Sequence, residues 1–218
     1  MSGGATDPPV PPHPESDLRK VQGAASREKL LAAATELFSE RGISATGVDA
    51  VCRRAGVVKS ALYWHFRSKE GLVAAVLDRV GRDWVDEIRA SVRKTGDDPF
   101  ERLDCFVAAL QELIESRPEL LRLLLAVTLE RAEGTPTSRE AVTQVFARSR
   151  DAIAHEIDDA SGIGPDPSTQ IAEIALGLVI ALAVRRLLVP TTPLDPLFQQ
   201  LHDVLLHEIN HEIRRQRR

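Results

Sequence analysis

The stretch that most constrains this chain runs from Thr46 to Phe66, TGVDAVCRRAGVVKSALYWHF. Its first half sets Val48, Val51, Cys52 and Ala55 at helical spacing. Ala55-Gly56-Val57 reads as a turn, because glycine takes positive φ without strain. The second half resumes the helical spacing with Leu62 and Phe66 inward. Its other face carries Lys59, Ser60, Ala61, Tyr63 and His65. Helices this short cannot stand alone, since an isolated helix below roughly 12 residues is at best marginal in water. They need a third helix as a platform. Two short helices around a tight turn, the second basic and polar, form the helix-turn-helix pattern.

Ser26 to Arg41 supplies the platform. Leu30, Leu31, Ala34, Leu37 and Phe38 make one apolar stripe. Ser26 is the expected N-cap, Glu28 suits the first turn, and Gly42 ends the helix. Thr46-Gly47-Val48-Asp49 fits a capping box, with Asp49 reaching back to the Thr46 amide. Val58 stands where a Ser or Thr cap is expected, an omission costing about 1 kcal/mol. Ser68-Lys69-Glu70 then opens a long helix with Val73, Val76, Leu77, Val80, Trp84 and Ile88 inward.

Further helices follow. Phe100 to Ser116 carries Leu103, Phe106, Val107, Leu110, Leu113 and Ile114. A leucine-rich helix runs from Pro118 to about Glu133, and Ser138 caps another that ends near Ala160. Ser168 to Val189 is apolar nearly all round and so needs cover on most sides. Asp195 caps the last helix, with Pro196 at its first turn and Leu197, Leu201, Val204, Leu205, Ile209 and Ile213 on one face. No stretch alternates like a strand and no repeat of fixed period appears, so the expected fold class is all-α.

Charge is distributed unevenly. Residues 17–70 hold 10 Lys/Arg against 6 Asp/Glu, while residues 71–218 hold 18 against 24. A basic N-terminal module on an acidic body suits a polyanion partner for the first part only. Residues 1–16, rich in proline and glycine, read as a disordered tail. No apolar run follows a basic N-terminal cluster, which argues against a signal peptide. The longest apolar stretch, Ile171 to Val184, falls short of the roughly 20 residues a membrane span needs. With Cys52 and Cys105 alone, the expectation is two buried thiols in a reducing cytoplasm.

Arg27 to about Asp78 resembles the DNA-binding module of the tetracycline-repressor (TetR) family of bacterial regulators. The resemblance rests on Leu37, Phe38 and Gly42, then Thr46, then Ala55-Gly56-Val57. It continues through Leu62-Tyr63-Trp64-His65-Phe66 to Lys69-Glu70. It implies a helix-turn-helix domain over 17–70 and an effector-binding and dimerisation domain over 71–218. It also implies that Lys59, Ser60 and Ala61 face base edges while Tyr63, His65 and Lys69 contact phosphates. Thr46 and Gly47 would place a helix N-terminus near the backbone, where free amides favour an anion. Trp64 is left between packing and contact. A carboxylate at Asp49 would be repelled by phosphate unless it accepts from a cytosine amine, so capping is its preferred role.

The implied partners are a double-stranded DNA operator, a second copy of the chain and an unidentified small-molecule effector, with no membrane. Effector-pocket candidates are Trp84, Phe106, Leu110, Leu124, Thr128 and Phe146. Dimer-interface candidates are Ala175, Val179, Leu182, Leu201, Val204 and Leu205, with Ala172, Gly177, Ala181 and Ala183 permitting close approach. The expected function is a sequence-specific regulator, a repressor released from a palindromic operator by its ligand.

One motif competes. His207-Glu208-Ile209-Asn210-His211 matches the H-E-x-x-H zinc pattern, with His202 upstream. It rides the polar side of an amphipathic helix and lacks an evident third ligand. No catalytic residue, metal or cofactor is therefore expected. A ligand-independent DNA-binding protein and a metal-dependent hydrolase stay as alternatives.

Overall fold

The computed structural model describes residues 14–92, 99–116, 122, 123, 125 and 136–218. Among them are eight helices and no strand. These are α1 (Pro14–Arg41), α2 (Val48–Ala55), α3 (Lys59–Phe66), α4 (Lys69–Val92), α5 (Pro99–Ser116), α6 (Pro136–Ser161), α7 (Pro165–Leu188) and α8 (Asp195–Gln216).

Helix starts depart most from expectation. α1 begins at Pro14, so residues 14–16 are helical and Ser26 lies inside the helix. Leu18, Arg19, Lys20, Gln22, Ala24 and Ala25 are good helix formers, and Gly23 alone costs about 1 kcal/mol. The Ser26 hydroxyl instead donates to the Gly23 carbonyl at 2.8 Å. The expected capping box is absent. Gly47 is the N-cap of α2 and no side chain caps it. Thr46 turns inward, its hydroxyl donating to the Gly42 carbonyl at 2.7 Å with that of Leu37 3.2 Å away. Nor does Asp195 cap α8: its carboxylate accepts from Gln111 of α5 at 2.5 Å, tying two helices together. α6 and α7 start before Ser138 and Ser168, at Pro136 and Pro165, and Ser168 is buried. Proline at a first turn forfeits no helical bond, so each start extends to it.

The stops match better. Gly42 and Gly56 sit at φ of 82° and 64°. At Gly56 the chain reverses through bonds from the Gly56 amide to Arg53 and from the Val57 amide to Cys52. This left-handed residue fixes how α2 meets α3.

Two apolar clusters form the interior. The first joins Leu30, Leu31, Ala34, Leu37 and Phe38 of α1 to Val51, Cys52, Leu62 and Phe66 of the two short helices and to Val73, Val76 and Leu77 of α4. It also takes in Ala141, Val142 and Val145 of α6. The second gathers Ile88, the inner face of α5, the later part of α6, and α7 with α8. Trp84 and Phe146 pack against both. α4 is thus a shared member of both clusters, and α6 reaches the helix-turn-helix core directly. Arg148 of α6 reinforces the seam, bonding Asp78 of α4 at 2.5 Å.

α7 is covered on one side only. Ile171, Ala172, Ala175, Leu176, Val179 and Ala183 are buried, while Ile174, Leu178 and Leu188 are 56%, 39% and 77% exposed. No described helix is long and apolar enough to cross a membrane. Both cysteines are free. Cys52 is buried as expected, but Cys105 is partly exposed.

Candidate nucleic-acid interface

α3 is held from beneath by Leu62 and Phe66, both buried against the platform. Arg27 of α1 stacks its guanidinium 5.4 Å from the Phe66 ring centroid, adding a cation–π contact. The outer face is thereby fixed. Val58, Tyr63 and Trp64 are 69%, 44% and 74% exposed, and Lys59 and Ser60 are exposed beside them. Three large apolar side chains exposed on one short helix are more than scattered surface residues. Trp64, left open on sequence grounds, does not pack the module.

Lys59 is not free. Its Nζ lies 2.9 Å from the Asp49 carboxylate, bridging the N-terminal ends of α2 and α3. The hydrogen bond and charge of Lys59 hold the Asp49 carboxyl below its ordinary range, and Asp49 in turn raises the Lys59 ammonium. Both partners stay at least half exposed. Asp49 is therefore a partner of Lys59 across the turn and not the cap of its own helix. A cap needs the carboxylate beside the Thr46 amide, and that amide instead donates to Ile43 at 3.2 Å.

The remaining expected DNA contacts divide. Thr46 is 2% exposed, so its side chain serves the α1–α2 turn and only Gly47 presents backbone outward. The first amide bonded within α2 is that of Ala50, which leaves the amides of Gly47, Val48 and Asp49 pointing along the helix start. Ala61 is half-buried. His65 turns to α1, its Nε2 2.8 Å from the Ser26 hydroxyl. Since that hydroxyl donates to Gly23, its oxygen accepts from Nε2–H. Burial first, and then the Arg27 charge, lower the His65 pKa. Lys69 lies 3.5 Å from the Ser44 carbonyl, at the edge of the same face. A groove of about 520 Å³ runs between α1 and α3, lined by Gln22, Gly23, Ser26, Ser60, Ala61, Trp64 and His65.

Other expected sites fall elsewhere. Phe106 and Leu110 are packed in the second cluster, while Trp84 and Phe146 bridge the two clusters. Leu124 and Thr128 lie outside the described residues. Of the dimer candidates, Ala175, Val179, Leu201 and Leu205 are buried within their own subunit. Only Val204, 41% exposed, and half-buried Leu182 reach the surface. The outward stripe of α7 is Ile174 and Leu178 with Gly177 and Ala181, one residue before two of the expected positions, because α7 turns Ala172, Ala175 and Ala183 inward against α6 and α8. Among the described residues, no three His, Cys, Asp or Glu could hold a metal. His207 and His211 are exposed, and His202 faces Asp104 of α5 at 2.5 Å.

Two short helices, α2 and α3, seated on α1 and α4 and joined to a helical body make up a helix-turn-helix. Residues 30–76 match the family model of bacterial regulatory proteins, tetR family, so this part of the chain is similar to that family's N-terminal module. It is similar to the transcriptional activator FasR of Mycolicibacterium smegmatis, 35% identical over 137 residues, covering 59% of this chain and 62% of FasR. It is also similar to the transcriptional repressor KstR2 of the same organism, 38% identical over 96 residues, covering 44% and 46%. The chain spans between 46% and 62% of the length of these curated relatives. A solved transcriptional regulator from Rhodococcus sp. Rha1 superposes with a TM-score of 0.61 at 25% identity, covering 86% of this chain and 96% of that one. FadR from Bacillus subtilis, solved with stearoyl-CoA, shares the fold at 14% identity, with a TM-score of 0.66 and coverage of 82% and 96%.

Proposed function

We propose that this chain is a sequence-specific transcriptional repressor that binds a palindromic operator as a homodimer and leaves it when a small molecule binds. One observation carries the DNA reading. The N-terminal end of α3 presents Lys59, Ser60, Tyr63 and Trp64 to solvent on a helix whose other face is locked by Leu62 and Phe66. A helix so placed enters the major groove end-on, where each base pair carries a distinct donor and acceptor pattern. Lys69 and the α2 amides at Gly47 and Val48 would set the register on phosphates. The site of action is the compartment that holds the chromosome, the cytoplasm.

The dimer reading rests on the exposed side of α7. Ile174 and Leu178, with Val204 of α8, form an apolar stripe that a second copy would cover. The division of labour follows: residues 17–70 bind DNA, and residues 71–218 pair subunits and receive the effector. The relatives include both an activator and a repressor. Repression is the simpler reading, since a dimer seated on a promoter blocks it without further contacts.

Effector control is a population shift between two spacings of the α3 helices. The route available is α6, which packs on both the helix-turn-helix core and the second cluster. A ligand that moves α6 at the Trp84–Phe146 junction tilts α4 and so resets the reader. The FadR neighbour's stearoyl-CoA suggests acyl thioesters as the first compounds to screen. The test is operator affinity at fixed salt across a small-molecule panel that starts with acyl-CoA esters. Release by one compound, at least tenfold, is expected. Unchanged affinity with every compound would leave a ligand-independent DNA-binding protein.

A further inference from the structure

Two features meet at the surface of the turn: a carboxylate where a phosphate-facing helix gains nothing from one, and its pairing with the lysine that opens α3. We infer that Asp49 and Lys59 act together as one reader of a single G·C base pair, with Asp49 as a further specificity-determining residue. This rests on the DNA-binding reading above.

The geometry is simple. Lys59 Nζ and Asp49 Oδ1 stand 2.9 Å apart, one a donor and the other an acceptor, and both are exposed at the groove-facing end of the two helices. In the major groove a G·C pair shows guanine O6, an acceptor, beside cytosine N4, a donor. Those two atoms are hydrogen-bonded to one another, so they too lie roughly 2.9 Å apart. A donor–acceptor pair of that spacing meets its complement atom for atom. Lys59 donates to O6, and the second hydrogen of N4 goes to Asp49. The mutual Lys59–Asp49 bond is retained in the complex, as is the base pair's own. Neither side then loses a partner on binding.

Charge points the same way. A lone carboxylate at this place would face phosphates and lower affinity for every sequence. Paired with Lys59 it adds no net charge, so the pair contributes little to the salt-dependent affinity and its effect falls on selectivity. The pair is also selective by exclusion. Against A·T and C·G the order is reversed, so Lys59 meets an amine and Asp49 an acceptor; T·A keeps the order through thymine O4 and adenine N6 and differs by a methyl group where guanine offers N7 to Lys59. A lysine alone lacks that penalty, because it can donate to any groove acceptor. The positive groups of α2 itself, Arg53 and Arg54, sit on its later turns, with Arg54 held by Glu36 of α1 at 2.8 Å. They do not compete for the same base edge.

The experiment uses the full-length protein and a duplex it binds specifically. Each base pair of one half-site is changed in turn, and affinities are measured for the wild type, Asp49→Ala, Lys59→Ala and the double variant. At one G·C position the wild type is expected to discriminate against A·T and C·G by about 5- to 150-fold, and less against T·A. Each single variant should lose most of that discrimination at that same position, and the double variant should lose no more than either alone. Asp49→Ala should also raise affinity for unrelated duplex and steepen the salt dependence. If Asp49→Ala strengthens binding to all duplexes with the ranking unchanged, Asp49 only restrains Lys59 and the inference is overturned. Equal loss at two separate positions would overturn it too. If the wild type prefers no duplex at all, the DNA-binding reading itself fails, an outcome distinct from both.

Discussion

Lys59 and Lys69 carry the same charge in different settings. Lys59 opens the reading helix and is paired with Asp49, whereas Lys69 lies at the margin beside the Ser44 carbonyl. Lys59→Ala should relax selectivity at one or two base pairs. Lys69→Ala should weaken binding to all sequences alike and lower the salt slope by about 1. Titrating both variants against specific and random duplex at several salt concentrations separates the roles, and identical behaviour would contradict the division. His65 gives a pH prediction. Its folded pKa is depressed, so the unfolded chain holds the proton more tightly. The associated stability is fully present above the free-imidazole value of about 6.5 and is lost as pH falls through the lower folded value. Thermal melts should therefore show the wild type losing stability below about pH 6.5, with a flatter profile for His65→Gln. At this scale the sequence was only half legible. The residue types of α3 were all in place, but side-chain partners were not. Thr46 and Asp49 fit a capping box by spacing, yet a hydroxyl can turn to Gly42 and a carboxylate to Lys59, and spacing cannot choose between them.

The short helices owe their position to two buried residues on each side of the turn, Val51 and Cys52 before it and Leu62 and Phe66 after it, and to one close approach. Leu62 is fully buried, and truncation to alanine should cost about 2–5 kcal/mol, read as a lower unfolding midpoint in denaturant. Operator affinity should fall with it, because α3 loses its seat. A methyl group at Gly71 would collide with the Phe66 carbonyl, where α4 leaves the end of α3. Gly71→Ala is expected to destabilise by about 1–3 kcal/mol through forced backbone movement. The same change at Gly47, where a side chain meets open space, should be far milder. Element identity was legible throughout the described residues because apolar periodicity is strong. The stripes of α1 and α5 are buried as their spacing demands. The starts of α4 and α5 were legible, but those of α1, α6 and α7 and the cap of α8 were not, since proline at a first turn and a run of helix formers outcompeted the serines and aspartate that looked like caps. The need for glycine at 71 left no trace in the sequence, because it comes from a neighbouring carbonyl and not from a turn.

In the proposed dimer, pairing and reading are coupled through spacing. Two readers reach successive major grooves only if the subunits are held about 34 Å apart along the duplex. Leu178→Glu places a charge in the exposed stripe without touching the subunit's own core. It should give a folded monomer by sedimentation, with operator affinity reduced at least tenfold. Val179→Glu, directed inward, should unfold the chain instead. The composition of α7 marked it as the candidate interface, but its facing was not legible. A helix apolar all round gives no phase, so only the packing of α6 and α8 reveals that Ile174 and Leu178 look outward. The central claim is sequence-specific reading by a dimer. Its most direct test is selection of bound sequences from a random duplex pool by the purified full-length protein at physiological salt. The account expects enrichment of a palindrome whose two half-sites lie about one helical turn apart, or a multiple of it. No enrichment, with retention lost steeply as salt rises, would mean phosphate binding alone and would contradict it.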